Sequence, residues 1–154
     1  MKYHVTIWLN VQRDSSGHAP GFLGYRSSHE MEPVFTYAMA VKDDINPNLQ
    51  EYRLTPQEAL CEMAFQAFNA PEEFLSGRNL SLARRYRANR LRSLSVGDVI
   101  QVSIGTTHQY FAVLPLGYAE ITNILVTGRD NHDAFSDEAD ARYRAMQAFY
   151  EEQQ

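Results

Sequence analysis

The sequence predicts an α+β fold, in which an antiparallel sheet combines an N-terminal strand pair and a C-terminal three-strand meander with a central and a C-terminal helix. Three patterns indicate this class. Residues 3–11 alternate with period two, residues 55–69 carry a helix start signal and one apolar side, and short β-rich segments follow residue 93. Strands grouped around single helices, without regular strand–helix alternation, favour α+β.

A chain of 154 residues suits a single domain, because a chain of this size can bury roughly 70% of its unfolded surface in one core. We therefore expect residues 1–154 to form one domain, with the last four, 151–154, frayed. Hydrophobic residues make up 44% and aromatic residues 12% of the sequence. Such a composition is typical of a folded globular protein.

The first strand is predicted over residues 3–11, where one face collects the apolar side chains Tyr3, Val5, Ile7, Leu9 and Val11. A second strand is predicted over 33–41, which is rich in β-branched and aromatic residues. The segment between them, 13–33, contains three glycines and two prolines. Because a long structureless loop is unusual in a compact domain, part of it is predicted to form either a short strand or a functional loop.

The central helix has a well-marked beginning and end. Thr55 is placed to cap it, Pro56 occupies the first helical position, and Glu58 completes a capping box. The helix should end near Asn69, because Pro71 disfavours helical geometry in the residue before it. One side is predicted to face the core through Leu60, Met63, Ala64, Ala67 and Phe68.

Three β-rich segments, 93–104, 109–121 and 122–128, are predicted to form the meander, with a turn or bulge at Gly97 and Asp98. A terminal helix is predicted from about Ser136 to Tyr150. Its apolar seam consists of Ala139, Tyr143, Met146 and Tyr150. Docking of this seam on the chain's own sheet is favoured, and a homodimer formed through the seam is the alternative.

Several classes of site are excluded by what the sequence lacks. The single cysteine, Cys61, rules out an internal disulfide and a Cys-rich zinc site, and its position on the helix favours inert packing over a nucleophilic role. The five histidines lack metal-site spacing, and phosphate-cradling and dinucleotide motifs are missing. We therefore expect no cofactor, no metal and no catalytic residues. The alternating N-terminus resembles neither a signal peptide nor a membrane span, which predicts a cytoplasmic protein without a membrane partner.

The segment from Arg78 to Arg92 is the most unusual feature of the sequence. It holds six of the fourteen basic residues and no carboxylate, although the chain carries a net charge of −5. Since these arginines contribute +6, the remainder of the chain carries −11. The candidate contact residues of this arginine segment are Arg78, Arg84, Arg85, Tyr86, Arg87, Arg90 and Arg92.

Three interpretations of the arginine segment remain open. Guanidinium groups around a Tyr ring suit phosphates and exposed bases, which would make the segment a nucleic-acid contact. An acidic protein partner would suit it as well. The arginines, however, point in nearly every direction on a helical wheel, which favours the third interpretation, that some of them bind acidic neighbours in the same molecule.

A loop from Arg26 to Glu32 is the least improbable place for acid–base chemistry, because His29, Glu30 and Glu32 lie close together in it. An enzyme built around this loop is the remotest of the functional hypotheses.

The segment "SLSVGDVI", followed by an aromatic-rich strand and "LGYAEI", resembles the pattern "SxSVGDVV…YxVxxxGFxxI" of YodL-like domains, which recur in proteins of bacterial mobile elements. The N-terminal "KYHVTIWLNVQRD…GFLGYRSSHEMEPVFTY" is similar to the opening of small uncharacterised proteins of actinobacteria and their phages. The resemblance implies an accessory protein of a phage, plasmid or integrated element and a small β-rich unit. It implies no catalytic residues and no cofactor. Tyr118 stands where the pattern favours Phe, and Pro115 interrupts the preceding strand.

Two functional hypotheses follow. The first is a non-catalytic accessory protein of a phage or mobile element that binds a host or element-encoded protein. The second is a nucleic-acid-binding module that uses the arginine segment.

Overall fold

The computed structural model describes residues 2–40, 55–122 and 124–126. Two helices and six strands lie in these ranges, together with two short 3-10 turns. The strands are β1 (Lys2–Asn10), β2 (Glu30–Ala40), β3 (Val99–Ile104), β4 (Thr107–Val113), β5 (Tyr118–Ile121) and β6 (Leu125–Val126). The helices are α1 (Pro56–Asn69) and α2 (Gly77–Ala88), and the 3-10 turns span Pro20–Leu23 and Glu72–Phe74.

The strands form one sheet in the order β5-β4-β3-β1-β2-β6. All neighbouring pairs are antiparallel except β2 and β6, which are parallel. The N-terminal pair β1–β2 and the meander β3–β4–β5 are joined because β3 pairs with β1 in the centre of the sheet. The predicted α+β class with an antiparallel sheet is confirmed.

The composition of the meander differs from the prediction. The segment 109–121 contributes to two strands, because Pro115 and Leu116 lie in a turn in which the Leu114 N–H donates to the Gly117 carbonyl at 3.0 Å. The segment 122–128 contributes β6, which pairs with β2 at the opposite edge of the sheet. Proline lacks the N–H that a continuous central strand would need, which explains the break.

The helices also differ from the prediction in part. Helix α2, which includes most of the arginine segment, was not predicted from the sequence. The predicted helix at 136–150 and its seam of Ala139, Tyr143, Met146 and Tyr150 lie outside the described residues.

Helix α1 begins and ends as predicted. The Glu58 N–H donates to Thr55 Oγ1 at 3.2 Å, and the Thr55 N–H donates to Glu58 Oε2 at 3.4 Å, which completes the capping box. The helix ends at Asn69, and all five of its predicted core residues are buried.

The main core lies between the two helices and one face of the sheet. Strand β1 supplies Tyr3, Val5, Ile7 and Leu9 to it, as the period-two pattern predicts. Val11, which was predicted on the same face, lies just after the end of β1 and is only half-buried. Phe35, Phe68 and Tyr86 meet at its centre, with Tyr86 stacked on Phe68 at a centroid distance of 4.3 Å. Phe35 packs edge-on against both rings.

A smaller apolar cluster lies on the opposite face of the sheet. Trp8, Met31, Val99 and Ala112 are its buried members. Met31 reaches this face because the register of β1 and β2 shifts between Ile7 and Trp8, so that Phe35 opposes Ile7 and Pro33 opposes Trp8. Val34 is an extra, unpaired residue in β2, that is, a β-bulge. Because of it, the side chains of β2 before Val34 lie on the opposite face of the sheet from the one that regular alternation would give them.

Candidate functional site

The arginine segment makes ion pairs within the molecule. Arg84 Nε lies 3.6 Å from Glu72 Oε2, and Arg87 Nη1 lies 3.7 Å from Glu72 Oε1. Because α2 packs beside the 3-10 turn that carries Glu72, one carboxylate is shared by two guanidinium groups. The prediction that some arginines bind acidic neighbours in the same molecule is confirmed.

Other arginines of the segment bind the backbone or lie over an aromatic ring. Arg78 Nη2 donates to the Ala38 carbonyl at 2.5 Å, and Arg87 Nη2 donates to the Ala70 carbonyl at 2.5 Å. The Arg85 guanidinium lies 5.9 Å from the centroid of the Phe35 ring. Arg90 is exposed at the end of the helix, where it adopts a φ of 58°.

Tyr86 is a core residue. Its side chain is fully buried, and its hydroxyl donates to the Arg92 carbonyl at 2.6 Å. Burial raises the pKa of its hydroxyl above the ordinary range. A ring in this position is not accessible to a nucleotide base. The spacing of Leu82 and Tyr86, four residues apart on one helical face, is the sequence signal for that burial.

A polar network, which we call the anchor network, joins the partly exposed Arg92 to the buried residues Asp98, Asn10 and His29. Arg92 Nη1 and Nη2 each donate to one oxygen of Asp98 at 2.7 Å. Asp98 is completely buried, and its carboxylate also accepts the N–H groups of Asn10 and Ser95, both at 2.8 Å. A buried carboxylate is tolerated when it is paired and hydrogen-bonded in this way.

Asn10 and His29 extend the network into the long loop after β1. Asn10 Nδ2 donates to the Gly97 carbonyl at 3.1 Å and lies 3.0 Å from His29 Nδ1. The Arg26 N–H donates to the same nitrogen at 3.2 Å. Since both neighbours of Nδ1 are donors, Nδ1 is an acceptor and the imidazole is neutral with its proton on Nε2. Burial and the Arg26 charge lower the pKa of His29.

The residues of the predicted acid–base loop are separated by the fold. His29 is buried in the anchor network, whereas Glu30 is exposed and Glu32 is half-buried at the start of β2. Their positions at 30 and 32 in a strand direct their side chains away from the His29 environment.

Two glycines bring three turns together at one end of the sheet. Gly97 has a φ of +93°, and a Cβ built on it would lie 1.9 Å from the Gly21 carbonyl oxygen. Gly97 also donates its N–H to the Val113 carbonyl at 3.0 Å. The 3-10 turn at Pro20–Leu23, the turn at 95–98 and the end of β4 therefore adjoin.

Large apolar side chains project from these adjoining turns into solvent. Leu23 is 93% exposed, Leu116 is 92% exposed and Phe22 is 57% exposed, and Leu114 is also exposed. We call Phe22, Leu23, Leu114 and Leu116 the end surface. Single exposed apolar residues are ordinary on a protein surface, whereas these four are carried by two turns at the same end of the sheet.

A small pocket lies beside the end surface. It has a volume of about 80 Å³, and its lining includes Asn10, Arg13, Phe22, Arg92 and Val96. The Arg92 guanidinium lies 5.8 Å from the centroid of the Phe22 ring, a cation–π distance. The anchor network thus forms one wall of this pocket.

Sequence reasoning did not identify the end surface. Phe22 and Leu23 lie in a segment for which a short strand or a functional loop was predicted, and Leu116 was assigned to a strand. The available signal was the pattern "PGFLG", which places two large apolar residues between glycines in a turn.

No family model, curated protein or solved structure matches this chain. In the described part of the chain, no helix combines the length and apolar character that crossing a membrane requires. Within residues 2–40, 55–122 and 124–126, His, Cys, Asp and Glu side chains do not gather into a group that could hold a metal ion.

Proposed function

We propose that the protein is a non-catalytic binding module that holds a protein partner through its end surface. The observation that carries this proposal is the exposure of Phe22, Leu23 and Leu116, three large apolar side chains carried by turns at the same end of the sheet. Leaving such side chains in water forgoes roughly 1.5–3 kcal/mol for each one that could be buried. A partner that covers them would recover this free energy.

Preorganisation of the surface supports the proposal. The turn that carries Phe22 and Leu23 is packed against Gly97 and Asn10, and the turn that carries Leu116 is closed by the Leu114–Gly117 hydrogen bond. Because these turns are held by the anchor network and by their own hydrogen bonds, binding costs less ordering entropy than it would on an unsupported loop.

The contacts of the arginine segment make a nucleic-acid function the weaker alternative. Tyr86 is buried, and Arg84, Arg87 and Arg92 already have carboxylate partners. A phosphate would have to compete with these carboxylates for the same guanidinium groups. An exposed apolar surface, in contrast, suits a protein partner.

The context of the proposal comes from the resemblance to YodL-like domains. We infer an accessory protein of a phage or mobile element that acts in the cytoplasm on a host or element-encoded protein.

Comparative affinity capture tests the proposal. The bait is the full chain, and the test variant is Leu23→Ser combined with Leu116→Ser, which removes the apolar contact without touching the core. Phe74→Ser is the matched control, because Phe74 is 76% exposed on the separate 3-10 turn at Glu72–Phe74. We expect one protein to be retained by the wild type and the control and to be lost from the double variant.

Two outcomes would contradict the proposal. One is equal capture by the wild type and the double variant. The other is retention of nucleic acid that falls steeply with salt and is lost in Arg84→Ala with Arg85→Ala, which would favour the nucleic-acid alternative.

A further inference from the structure

We propose that the pocket between Arg13 and Arg92 receives the carboxylate group of an acidic side chain of the protein partner. This inference rests on the proposed function, since it names the chemistry of the partner at the same surface. The pocket adjoins the end surface through Phe22, which belongs to both. A partner segment that covers the end surface would therefore pass the pocket.

The charge of the pocket favours an anion. Its ionisable lining residues are Arg13 and Arg92, and the Asp98 carboxylate behind Arg92 offsets one of the two positive charges. Asp14, the acidic residue next in sequence, is engaged elsewhere, because its Oδ1 accepts the N–H groups of Ser16 and His18 at 2.9 Å. One positive charge is left in excess, which matches a single carboxylate.

Donor groups are also left over. Four of the five N–H groups of Arg92 are used, two on Asp98, one on the Ser93 carbonyl and one on the Asn10 carbonyl. The Nε–H is the remaining one, and it has no acceptor among the described residues. Arg13 is exposed and directs Nη1 to the Gln12 carbonyl at 3.0 Å, which leaves most of its guanidinium fork for a ligand.

The size and fixed geometry of the pocket restrict the kind of ligand that it can bind. A volume of about 80 Å³ accommodates a carboxylate head. Phe22 and Val96 supply apolar walls, which suit the methylene groups that carry a side-chain carboxylate. The bidentate contact with Asp98 and the ring of Phe22 hold Arg92 in place before a ligand arrives.

Anion titration of the full chain tests the inference without the partner. Acetate is the probe, chloride keeps the ionic strength constant, and inorganic phosphate is titrated in parallel. The readout is the amide NMR signals of Gly21 and Val96, which line the pocket. Arg13→Ala is the test variant. Arg90→Ala is the control, because Arg90 is equally an exposed arginine but does not line the pocket.

We expect acetate to shift both signals saturably, with a Kd raised about tenfold or more by Arg13→Ala, as loss of a charge-assisted hydrogen bond predicts. Arg90→Ala should leave the Kd unchanged. Non-saturating shifts that are equal in the two variants would overturn the inference, and so would saturation by phosphate at a lower concentration than by acetate. Because the titration needs no partner, its failure is distinguishable from failure of the capture experiment.

Discussion

Arg92 and Asp98 form a bidentate ion pair with both nitrogen–oxygen distances at 2.7 Å, and the Asp98 side chain has no exposed surface. The pair joins the end of the arginine segment to the turn that precedes β3. Because Asp98 also accepts the Asn10 N–H, the same carboxylate fixes the end of β1. The Asp98 contacts thereby fix the turn at 95–98, against which the turn that carries Phe22 and Leu23 packs.

Removing the buried carboxylate should destabilise the fold strongly. Asp98→Ala leaves the Arg92 guanidinium and the N–H groups of Asn10 and Ser95 without their acceptor, so we expect a loss of about 3–5 kcal/mol in the free energy of unfolding. Glu72→Ala is the control, because its ion pairs with Arg84 and Arg87 are partly exposed and longer. That change should cost at most about 1 kcal/mol. Equal losses in urea denaturation would contradict the assigned role of Asp98.

Gly97 should be sensitive to the smallest substitution. Gly97→Ala combines a positive φ with a Cβ that would lie 1.9 Å from the Gly21 carbonyl oxygen, so we expect a loss of about 3 kcal/mol or more from strain and overpacking. Gly105→Ala is the matched control, since Gly105 has a φ of +57° and open space around its Cβ position. It should cost about 1–2 kcal/mol, from the backbone alone. Thermal unfolding of the two variants measures the difference, and a cost for Gly97→Ala no larger than the control would refute the close approach.

His29 should make stability depend on pH. Burial and Arg26 lower its pKa in the folded protein below the ordinary value near 6.5. Above that value the imidazole is neutral in both states, and the network keeps its full stability. As the pH falls below it, the unfolded chain binds a proton more readily than the folded one, so stability is lost. Urea unfolding at pH 7.5 and pH 5.5 should show a larger loss for the wild type than for His29→Gln. Parallel losses in the two proteins would show that His29 does not contribute.

Cys61 should be unreactive in the folded protein. Its side chain is completely buried, and burial raises the pKa of the thiol. We expect a thiol reagent to modify it only at urea concentrations that unfold the chain. Leu23→Cys in a Cys61→Ala background is the positive control, because Leu23 is exposed, and it should react at once in native buffer. Rapid modification of the wild-type thiol would contradict the packing of α1.

Local sequence patterns were sufficient to predict those helices and strands whose signals lie within one continuous segment of the chain. The alternation in β1 predicted its core face, the Thr55–Glu58 capping box predicted the start of α1, and Pro71 predicted its end. Helix α2 was missed because its buried residues are only Leu82, Ala83 and Tyr86, which are too few to form an apolar stripe beside the four arginines of the helix. The placement of β6 beside β2 is a non-local pairing that no short pattern encodes.

The candidate site could not be predicted from sequence for a related reason. Asn10 and Asp98 are 88 residues apart in the chain, and only the pairing of β1 with β3 brings them together. The arginines were identified as unusual, but whether a guanidinium group faces solvent or a carboxylate depends on tertiary contacts. Glu72 and Asp98 are the residues that decide it.

Photo-crosslinking from position 23 shows whether the end surface contacts a protein partner in the cell. A benzophenone amino acid is placed at position 23 of the full chain in cells of the native host, and in parallel at position 74. We expect a discrete protein adduct from position 23 that is absent from position 74. An adduct from position 74 and none from position 23, or crosslinking of position 23 to nucleic acid alone, would contradict this expectation.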